Sequence, residues 1–443
     1  MDSRPAASLA QGSTTLASLH AASREEIEAH QLARLRAGLT SVLASNGFYQ
    51  RKLAGLDPQG ITDLDAFRKL PFTTKSELVS DQLEHPPYGT NLTYPPRDYV
   101  RLHQTSGTTG QPLKILDTAE SWDWWAACWQ TIYEAAGVTN EDIVFLAFSF
   151  GPFIGFWSAY EGAKRVGALV VPGGGQTSLQ RLQTILSTGA TVLVCTPTYA
   201  LHLVEVAQSE GIDIAASATR VTIHAGEPGA SIPNTRRRIE TAWNARTYDH
   251  LGMTEMGAYG FTCLHQDAVH VNEAEFIAEI LNPTTGAPVA EGERGELVLT
   301  NLGRWGSPAI RYRTGDLVQR GPTTCMCGRT FLTIPGGVLG RLDGMLIVRG
   351  VNVYPSSIED VLRGFPEVEE FRITVTKADA LDEIALDLEC PEEIVSHVEA
   401  ALRQGLSLRV PVRAVPSGTL PRFELKARRV VDLRNQRFNE KGG

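Results

Sequence analysis

The sequence contains few cysteines, no long apolar run and no excess of positive charge, and each absence excludes a class of protein. Six cysteines among 443 residues are too few for a scaffold stapled by disulfides, and they suit thiols or metal ligands better. No run approaches the ~18 apolar residues of a membrane span. The N-terminal segment has no continuous apolar stretch, so a signal peptide is not expected. A formal net charge of −9 argues against a general nucleic-acid surface.

The remaining composition is that of a globular protein, with 42% hydrophobic and 21% charged residues. We therefore expect a cytoplasmic protein that binds neither membrane nor nucleic acid, and a homodimer is left open. A chain of 443 residues is long for one core, which favours two or three domains.

Alternating apolar and helix-like segments predict an α/β fold. Short apolar runs ending in Gly or Pro lie at 142–148, 167–174, 191–197 and 220–228, with helix-like segments between them. This alternation is typical of βαβ units in a parallel sheet, where ligands bind at the carboxyl ends of strands. After Glu273 the pattern indicates antiparallel strands, and from Met345 a smaller α+β unit.

A loop rich in small hydroxyl residues, HQTSGTTGQPLK at 103–114, contains the groups that bind phosphate. Gly107 and Gly110 let backbone N–H groups approach an anion. Hydroxyl donors and a cation come from Ser106, Thr108, Thr109 and Lys114. The loop lacks the Gly-Lys-Ser/Thr ending of NTPase phosphate loops. Read alone, such a run is more often a flexible polar turn.

Five motifs in order give the sequence a family resemblance. TSGTTGQP resembles the phosphate loop of the acyl-adenylate-forming (ANL) superfamily. The other matches are YDHLGMTEMG (248–257), RYRTGDL (311–317), GRLDGMLIVRGVNVYPSSIE (340–359) and LPRFELKARR (420–429). Within the superfamily, residues 35–435 most resemble the phenylacetate-coenzyme A ligase branch. Two positions depart from the pattern: Leu251 stands where the branch usually has a Tyr on adenine, and Leu425 precedes Lys426 where Gly is usual.

The resemblance implies two-step chemistry and two domains. An acid attacks the α-phosphate of ATP, giving an acyl-adenylate and pyrophosphate, and the thiol of coenzyme A then displaces AMP. The implied large domain, 1–340, binds ATP and the acid through mixed or parallel sheets, helices and an antiparallel subdomain. The implied small α+β domain, 341–443, rotates about a hinge at Asp343.

The resemblance also assigns residues to these steps. Thr254 and Lys426 would act at the α-phosphate, and Glu255 would coordinate Mg²⁺. Without the resemblance, Glu255 could equally begin a helix. The coenzyme A path would include Arg349 and Gly350. The ATP and phosphate set would be Thr105, Ser106, Gly107, Thr108, Thr109, Gly110, Lys114, Gly226, Glu227, Pro228, Asp249, His250, Leu251, Gly252, Met253, Asp316 and Arg341.

An unusual density of aromatic residues at 148–157, FSFGPFIGFW, predicts a pocket for a flat apolar acid. Aromatic stripes are more often core, but the glycine breaks favour a strand end and loop. The predicted acyl pocket consists of Phe148, Phe150, Phe153, Gly174, Ala225, His250 and Gly252. His250 would meet a polar substituent or the carboxylate, or else serve as a core histidine, and these readings stay open.

A second group of residues predicts a structural zinc site. CLHQDAVH and CMCG supply Cys263, Cys325 and Cys327, and a histidine would complete four tetrahedral ligands. The resemblance favours His270 as the fourth ligand, with His265 as the alternative. Four protein ligands leave no open position, so the ion would be structural. Ordinary thiols are the competing reading.

The leading functional hypothesis is an AMP-forming aryl-coenzyme A ligase that uses ATP, Mg²⁺ and coenzyme A. A close alternative keeps the adenylate but transfers the acyl group to an amine or to a carrier-protein thiol. A zinc-containing binding module without catalysis is the alternative from another class. The sequence does not name the acid.

Overall fold

The structure, a computed structural model, describes Leu19 and residues 21–105, 111–149, 151, 154, 157–342, 344, 346–348, 351–378, 381–406, 408–423 and 427–434. Four helices come first: α1 (Arg24–Ser45), α2 (Gly47–Lys52), α3 (Leu64–Phe67) and α4 (Lys75–Glu84). Thr74 caps α4 in a reciprocal capping box with Glu77. This cap places Lys75 at the first position of α4.

An antiparallel ribbon carries the two ends of the predicted phosphate loop. It pairs β1 (Tyr99–Gln104) with β2 (Lys114–Thr118). Thr118 then caps α5 (Ala119–Ala135) by accepting a hydrogen bond from the Ser121 N–H. The buried side of α5 is unusually aromatic, with Trp122, Trp124, Trp125, Trp129 and Tyr133.

The largest sheet has eight strands in the order β13-β9-β8-β7-β6-β5-β3-β4. The strands are β3 (Ile143–Leu146), β4 (Leu169–Pro172), β5 (Val192–Cys195), β6 (Val221–His224), β7 (Arg246–Met253), β8 (Gly257–Thr262), β9 (Val269–Val271) and β13 (Thr333–Ile334). Pairing is parallel from β4 to β7 and antiparallel from β7 to β13. The four predicted apolar runs contain four of the five strands of the parallel part, β3, β4, β5 and β6, and the fifth is β7.

Both faces of the parallel part are covered. Val192 and Val194 belong to one hydrophobic cluster, while Leu193 and Cys195 belong to another. Successive side chains of a strand point to opposite faces, so the clusters lie on the two sides of the sheet. The connecting helices are α6 (Trp157–Val166), α7 (Ser178–Thr188), α8 (Pro197–Ser209) and α9 (Pro233–Trp243). The predicted α/β fold class is confirmed.

A four-stranded antiparallel sheet follows, as the change of pattern after Glu273 predicted. It consists of β10 (Phe276–Leu281), β11 (Arg294–Asn301), β12 (Tyr312–Gln319) and β14 (Gly340–Arg341). The register of β12 and β14 sets Asp316 opposite Arg341.

The C-terminal part has its own core. Its sheet contains β15 (Leu346–Val348), β16 (Val351–Val353), β17 (Phe371–Ala378), β18 (Leu381–Glu389), β19 (Val412–Val415) and β20 (Val430–Asp432), packed with α10 (Pro355–Arg363) and α11 (Val395–Leu406). A separate hydrophobic cluster supports the proposed division near residue 340, which remains a prediction. Among the described residues, none of the helices combines the length and apolar character needed to cross a bilayer.

Candidate active site

Two loops at the carboxyl ends of neighbouring parallel strands form the centre of the candidate site. Residues 225–229 follow β6, and a turn at residues 254–256 joins β7 to β8. The alternative that Glu255 begins a helix is therefore wrong, because the turn lies between two antiparallel strands. The end of a parallel sheet is where ligands bind in α/β folds, which agrees with the sequence prediction.

Glu255 is buried and meets residues from two distant motifs. Its Oε1 lies 3.1 Å from the Lys75 ammonium at the start of α4. The Tyr312 hydroxyl on β12 donates to the same oxygen at 3.4 Å. The structure thus brings the Thr254–Glu255 turn into contact with β12, which contains the Tyr-Arg-Thr-Gly-Asp motif. Lys75 was not predicted as a site residue.

Thr254 is held by a buried ion pair that sequence reasoning missed. Arg304 Nη1 donates to the Thr254 carbonyl at 2.5 Å. Its Nε and Nη2 atoms donate to Asp117 at 2.7 and 2.5 Å, and both side chains are fully buried. The guanidinium also lies 4.5 Å from the centre of the Trp125 ring. Breaking such a pair by removing one partner typically costs ~3–5 kcal/mol, so the turn has a rigid support.

Asp316 and Arg341 form the predicted ribose and phosphate corner. Arg341 Nη1 donates to Asp316 Oδ1 at 3.0 Å and to the Thr314 carbonyl at 2.7 Å. Gly315, between Thr314 and Asp316 in the sequence, has a φ angle of +72°, and a Cβ there would lie 2.9 Å from Arg341 Nη2. Glycine is therefore required for this approach. Their contacts with a nucleotide remain predictions.

Asp249 and the rest of β7 line the predicted adenosine side. The Asp249 carboxylate accepts from the Ser231 N–H at 3.0 Å, from the Ser231 hydroxyl, and from the His250 N–H at 3.1 Å. Burial raises the pKa of Asp249 to about 6. Leu251 and Met253 follow, both half-buried, and Gly252 is exposed. No described contact identifies what would stack on adenine.

His250 lies on the other side of β7, in the predicted acyl pocket. Its Nδ1 lies 2.9 Å from the Gly260 carbonyl, and its ring centre lies 4.4 Å from that of Trp129 on α5. Phe148, Ala225 and Trp129 are buried in one hydrophobic cluster. Gly174 is exposed beyond the end of β4. Trp129 was not among the predicted pocket residues, because its periodicity alone reads as core.

Glu227 links the strand-end loop to the C-terminal part. Its Oε1 accepts from the Thr198 N–H at 3.0 Å, and its Oε2 accepts from the Ala427 N–H at 2.8 Å. Ala427 directly follows Lys426 in the sequence. The neighbouring Gly226 and Pro228 are exposed. The carboxylate therefore anchors the segment that carries the predicted lysine, and a direct role in nucleotide binding stays a prediction.

Hydrogen bonds join the two ends of the predicted phosphate loop. Thr105 and Leu113 close it through two hydrogen bonds of 3.0 Å, from the Thr105 N–H to the Leu113 carbonyl and from the Leu113 N–H to Thr105 Oγ1. Lys114 Nζ donates to the Pro87 carbonyl at 3.2 Å. The predicted site residues outside the described part of the chain are Ser106, Gly107, Thr108, Thr109, Gly110, Phe150, Phe153, Asp343, Arg349, Gly350 and Lys426.

The predicted metal ligands converge at a separate place. One ligand atom from each of Cys263, His270, Cys325 and Cys327 lies within 4.8 Å of the others. The Cys263 and Cys325 sulfurs are 3.8 Å apart, and Cys327 Sγ lies 3.6 Å from His270 Nε2. The alternative ligand His265 is exposed and does not belong to this cluster.

Tetrahedral zinc geometry accounts for these separations. Zn–S bonds of ~2.3 Å and Zn–N bonds of ~2.0 Å give edges of about 3.8 Å between two sulfurs and about 3.5 Å between sulfur and nitrogen. A disulfide needs an S–S distance of about 2.0 Å, so the observed spacing suits a shared ion better. The donor set therefore fits zinc.

Two family models match separate parts of the chain. The AMP-binding enzyme family matches residues 26–303, and the AMP-binding enzyme C-terminal domain matches residues 350–434. Phenylacetate-coenzyme A ligase of Escherichia coli (strain K12) is 33% identical over 441 residues, covering 95% of this chain and 98% of that protein. The Thermus thermophilus protein of the same name is also 33% identical, covering 93% and 97%.

Solved structures of 2-hydroxyisobutyryl-CoA ligase resemble the chain to different degrees. The postadenylation state in complex with 2-HIB-AMP has a TM-score of 0.89 at 29% identity, covering 95% of this chain and 93% of that chain. The thioesterification state of that ligase scores 0.72 at 30% identity, covering 96% and 94%. The arrangement of the two parts here therefore resembles the postadenylation state more closely.

Motif order, site geometry and these matches agree across nearly the full chain. The chain belongs to the AMP-binding enzyme family, the acyl-adenylate-forming (ANL) superfamily, and it is an acid–thiol ligase of the branch that resembles phenylacetate-coenzyme A ligases.

Proposed function

We propose that this ligase activates an aromatic carboxylic acid with ATP and transfers the acyl group from the adenylate to coenzyme A. The observation that carries the proposal is that two features lie at one sheet end. The first is the Thr254–Glu255 turn, which contacts Arg304, Lys75 and Tyr312. The second is the exposed Gly252, two residues before the turn, which lies beside the His250 ring that contacts Trp129.

The phosphate side of the site would work through positioning and charge. Phosphoryl and adenylyl transfers depend on alignment and neutralisation far more than on covalent help. Glu255 would hold Mg²⁺, a hard cation that prefers carboxylate oxygen and would screen phosphate charge. Thr254, fixed through its carbonyl by Arg304, presents its hydroxyl at the same turn. Lys426 would bring a further positive charge when its segment is docked on Glu227.

The ribose side would use Asp316. A carboxylate can accept from both ribose hydroxyls, and its charge strengthens these bonds. Arg341 lies against this carboxylate at 3.0 Å, and its guanidinium would add positive charge to this side of the site. Thioester formation would then use Arg349 and Gly350 along the coenzyme A path.

The aromatic surroundings support an aryl acid. Aromatic rings favour offset or tilted contacts with other rings, and the His250–Trp129 pair is already tilted by 57°. Phe148 and Ala225 add buried apolar surface to the same cluster. The two relatives described above, each 33% identical to this chain, are named for phenylacetate, an acid with an aromatic ring.

The test is pyrophosphate release from ATP and Mg²⁺ with a panel of acids: benzoates, aminobenzoates, phenylacetates, small hydroxy acids and medium-chain fatty acids. Aryl acids should give the highest kcat/KM. Since one methylene is worth only ~1–3 kcal/mol in an apolar pocket, similar rings should differ modestly. A higher kcat/KM for any aliphatic acid would contradict the aryl proposal. Adding coenzyme A should yield a thioester, whereas pyrophosphate without thioester would indicate an amine or carrier-protein acceptor.

Zinc is proposed as a structural component of the same protein. Cys263 and His270 come from the β8–β9 hairpin, and Cys325 and Cys327 come from the loop before β13. An ion held by all four would join these two segments and leave no position open for substrate. The zinc ion would therefore stabilise the fold and would take no part in the chemistry at the Thr254–Glu255 turn.

A further inference from the structure

We infer that His250 selects acids whose ring carries a hydrogen-bond donor, a hydroxyl or amino group, by accepting that hydrogen bond at Nε2. This inference rests on the proposed function and narrows its substrate class. It concerns a specificity-determining residue: the sequence left open whether His250 meets a polar substituent, meets the carboxylate or serves only as core, and the geometry favours the first.

The tautomer of His250 is fixed by its surroundings. A backbone carbonyl can only accept a hydrogen bond, so Nδ1, 2.9 Å from the Gly260 carbonyl, must carry the hydrogen. Burial also lowers the pKa of His250 to about 4, so the ring is neutral at physiological pH. In the neutral ring only one nitrogen carries hydrogen. Nε2 therefore presents a lone pair and no hydrogen.

This acceptor has no protein donor. The side chain is 5% exposed, and within the described part of the chain its Nδ1 contact with Gly260 is its one hydrogen bond. Nε2 is not among the buried unpaired side-chain atoms, so this acceptor reaches open space within the site. A bound acid that covers Nε2 without donating a hydrogen bond would leave the acceptor unsatisfied, which costs ~1–3 kcal/mol. The arrangement fits a partner that arrives with the substrate.

The position of Nε2 fits the far end of an aromatic acid. A Cβ built on Gly252 would lie 3.0 Å from Nε2, so this nitrogen lies over Gly252, which is exposed. Gly252 is two residues before Thr254, a distance of ~7 Å along a strand. That is about the length of a benzoate from its carboxylate to a para substituent. An acid whose carboxylate lies at Thr254 would therefore direct a para substituent toward Nε2.

The surroundings of Nε2 are where a substrate donor would bind. The ring of Trp129 covers one side of the imidazole at 4.4 Å between ring centres. Among the residues that the structure describes, no side chain donates a hydrogen bond to this nitrogen. A substrate with a matched apolar group in place of the hydroxyl would cover Nε2 and leave it unpaired, and sites built for a polar group reject such analogues strongly.

The experiment measures kcat/KM for pyrophosphate release with matched pairs of acids. The pairs are 4-hydroxybenzoate with 4-methoxybenzoate, 4-aminobenzoate with 4-methylbenzoate, and the corresponding 3-substituted and phenylacetate pairs. We expect the wild-type enzyme to prefer the donor-bearing member of at least one pair by ~10–100-fold. His250→Phe, which keeps an aromatic ring but removes the acceptor, should reduce that preference to within about threefold.

Trp129→Phe is the matched control, because it alters the ring next to His250 and leaves the acceptor in place. It should change the rates of both members of a pair by similar factors and so preserve the preference. The inference is overturned if the wild-type enzyme activates aryl acids without preferring donors, or if His250→Phe keeps the preference. If no aryl acid releases pyrophosphate while an aliphatic acid does, the proposed function fails first, and this inference fails with it.

Discussion

Glu227→Gln should slow adenylation selectively, because the Glu227 carboxylate anchors the segment that carries Lys426. One oxygen accepts from Thr198 N at 3.0 Å and the other from Ala427 N at 2.8 Å. A glutamine keeps one acceptor oxygen but turns an NH₂ group toward the other N–H. The variant therefore loses one hydrogen bond to a charged acceptor and gains a donor–donor contact.

The structure sets the expected size of the effect. Hydrogen bonds to charged groups contribute ~1.5–3 kcal/mol, which corresponds to a factor of about 10–100 in the docking equilibrium of the segment. Burial raises the pKa of Glu227, so part of this gain is offset by the cost of burying the charge. We therefore expect the lower end, about tenfold, in kcat for pyrophosphate release.

The assay measures both half-reactions. Thioester formation from synthetic aryl-adenylate and coenzyme A needs no docked lysine, so Glu227→Gln should leave it near the wild-type rate. Glu205→Gln is the matched control at the same interface: Glu205 pairs with Arg422 at 3.1 Å, but Arg422 retains Glu389 at 2.7 Å. Exposed pairs are worth ~0–1 kcal/mol, so the control should change adenylation by less than about fivefold.

Equal slowing of both half-reactions by Glu227→Gln would refute this reasoning, and so would an effect no larger than that of the Glu205 control. The direct nucleotide role that the family resemblance predicts has a different signature. It would raise the KM for ATP, whereas loss of docking would lower kcat.

Three further predictions concern separate parts of the molecule. Metal analysis should find about one zinc per chain, and Cys325→Ser should lower the Tm while changing kcat little; a metal-free, fully stable protein would contradict the site. Burial raises the pKa of Asp249 to about 6, so the protonated carboxyl is favoured in the folded state. The advantage in unfolding free energy of wild type over Asp249→Asn should therefore grow by about 2 kcal/mol as pH falls from 7 to about 4, measured by urea titration; an advantage independent of pH would contradict this. Lys426→Ala should slow adenylation by ~10²–10³ but spare thioester formation, and Asp343→Pro should show the reverse; equal effects on the two steps would make Lys426 structural.

Local sequence signals predicted much of the fold. The apolar run at 191–197 contains β5, and the helix-like segment expected before it contains α7, which begins after a capping box between Thr177 and Gln180. Such signals act over a few residues, so they can be read from one sequence. The metal ligands were also predictable, since two cysteines lie two positions apart and the resemblance favoured His270.

Contacts between distant segments were not predictable from one sequence. Asp117 and Arg304 are 187 positions apart, and neither lies in a motif, yet their ion pair supports Thr254. Lys75 was visible only as the first residue after a helix cap. Its approach to Glu255 depends on where α4 packs against β12, through hydrogen bonds between Thr73 and the backbone of Arg311 and Arg313. Tertiary packing determines where these three side chains lie, and local sequence propensity does not report on tertiary packing.

The shape of the Thr254–Glu255 turn determines which groups can supply positive charge next to it. Since residues 254–256 join two antiparallel strands, the turn gains nothing from the positive end of a helix of its own. Besides Lys114 of the predicted phosphate loop, positive charge for the phosphates would come from side chains on separate segments: Lys75 on α4, Arg341 on β14 and Lys426 near the C-terminal end. Two of these lie at or beyond the predicted domain boundary, so the charge at Glu255 depends on where the C-terminal part is docked. A single fixed helix end would give that charge in every conformation, whereas this arrangement gives it fully only when Glu227 holds Ala427.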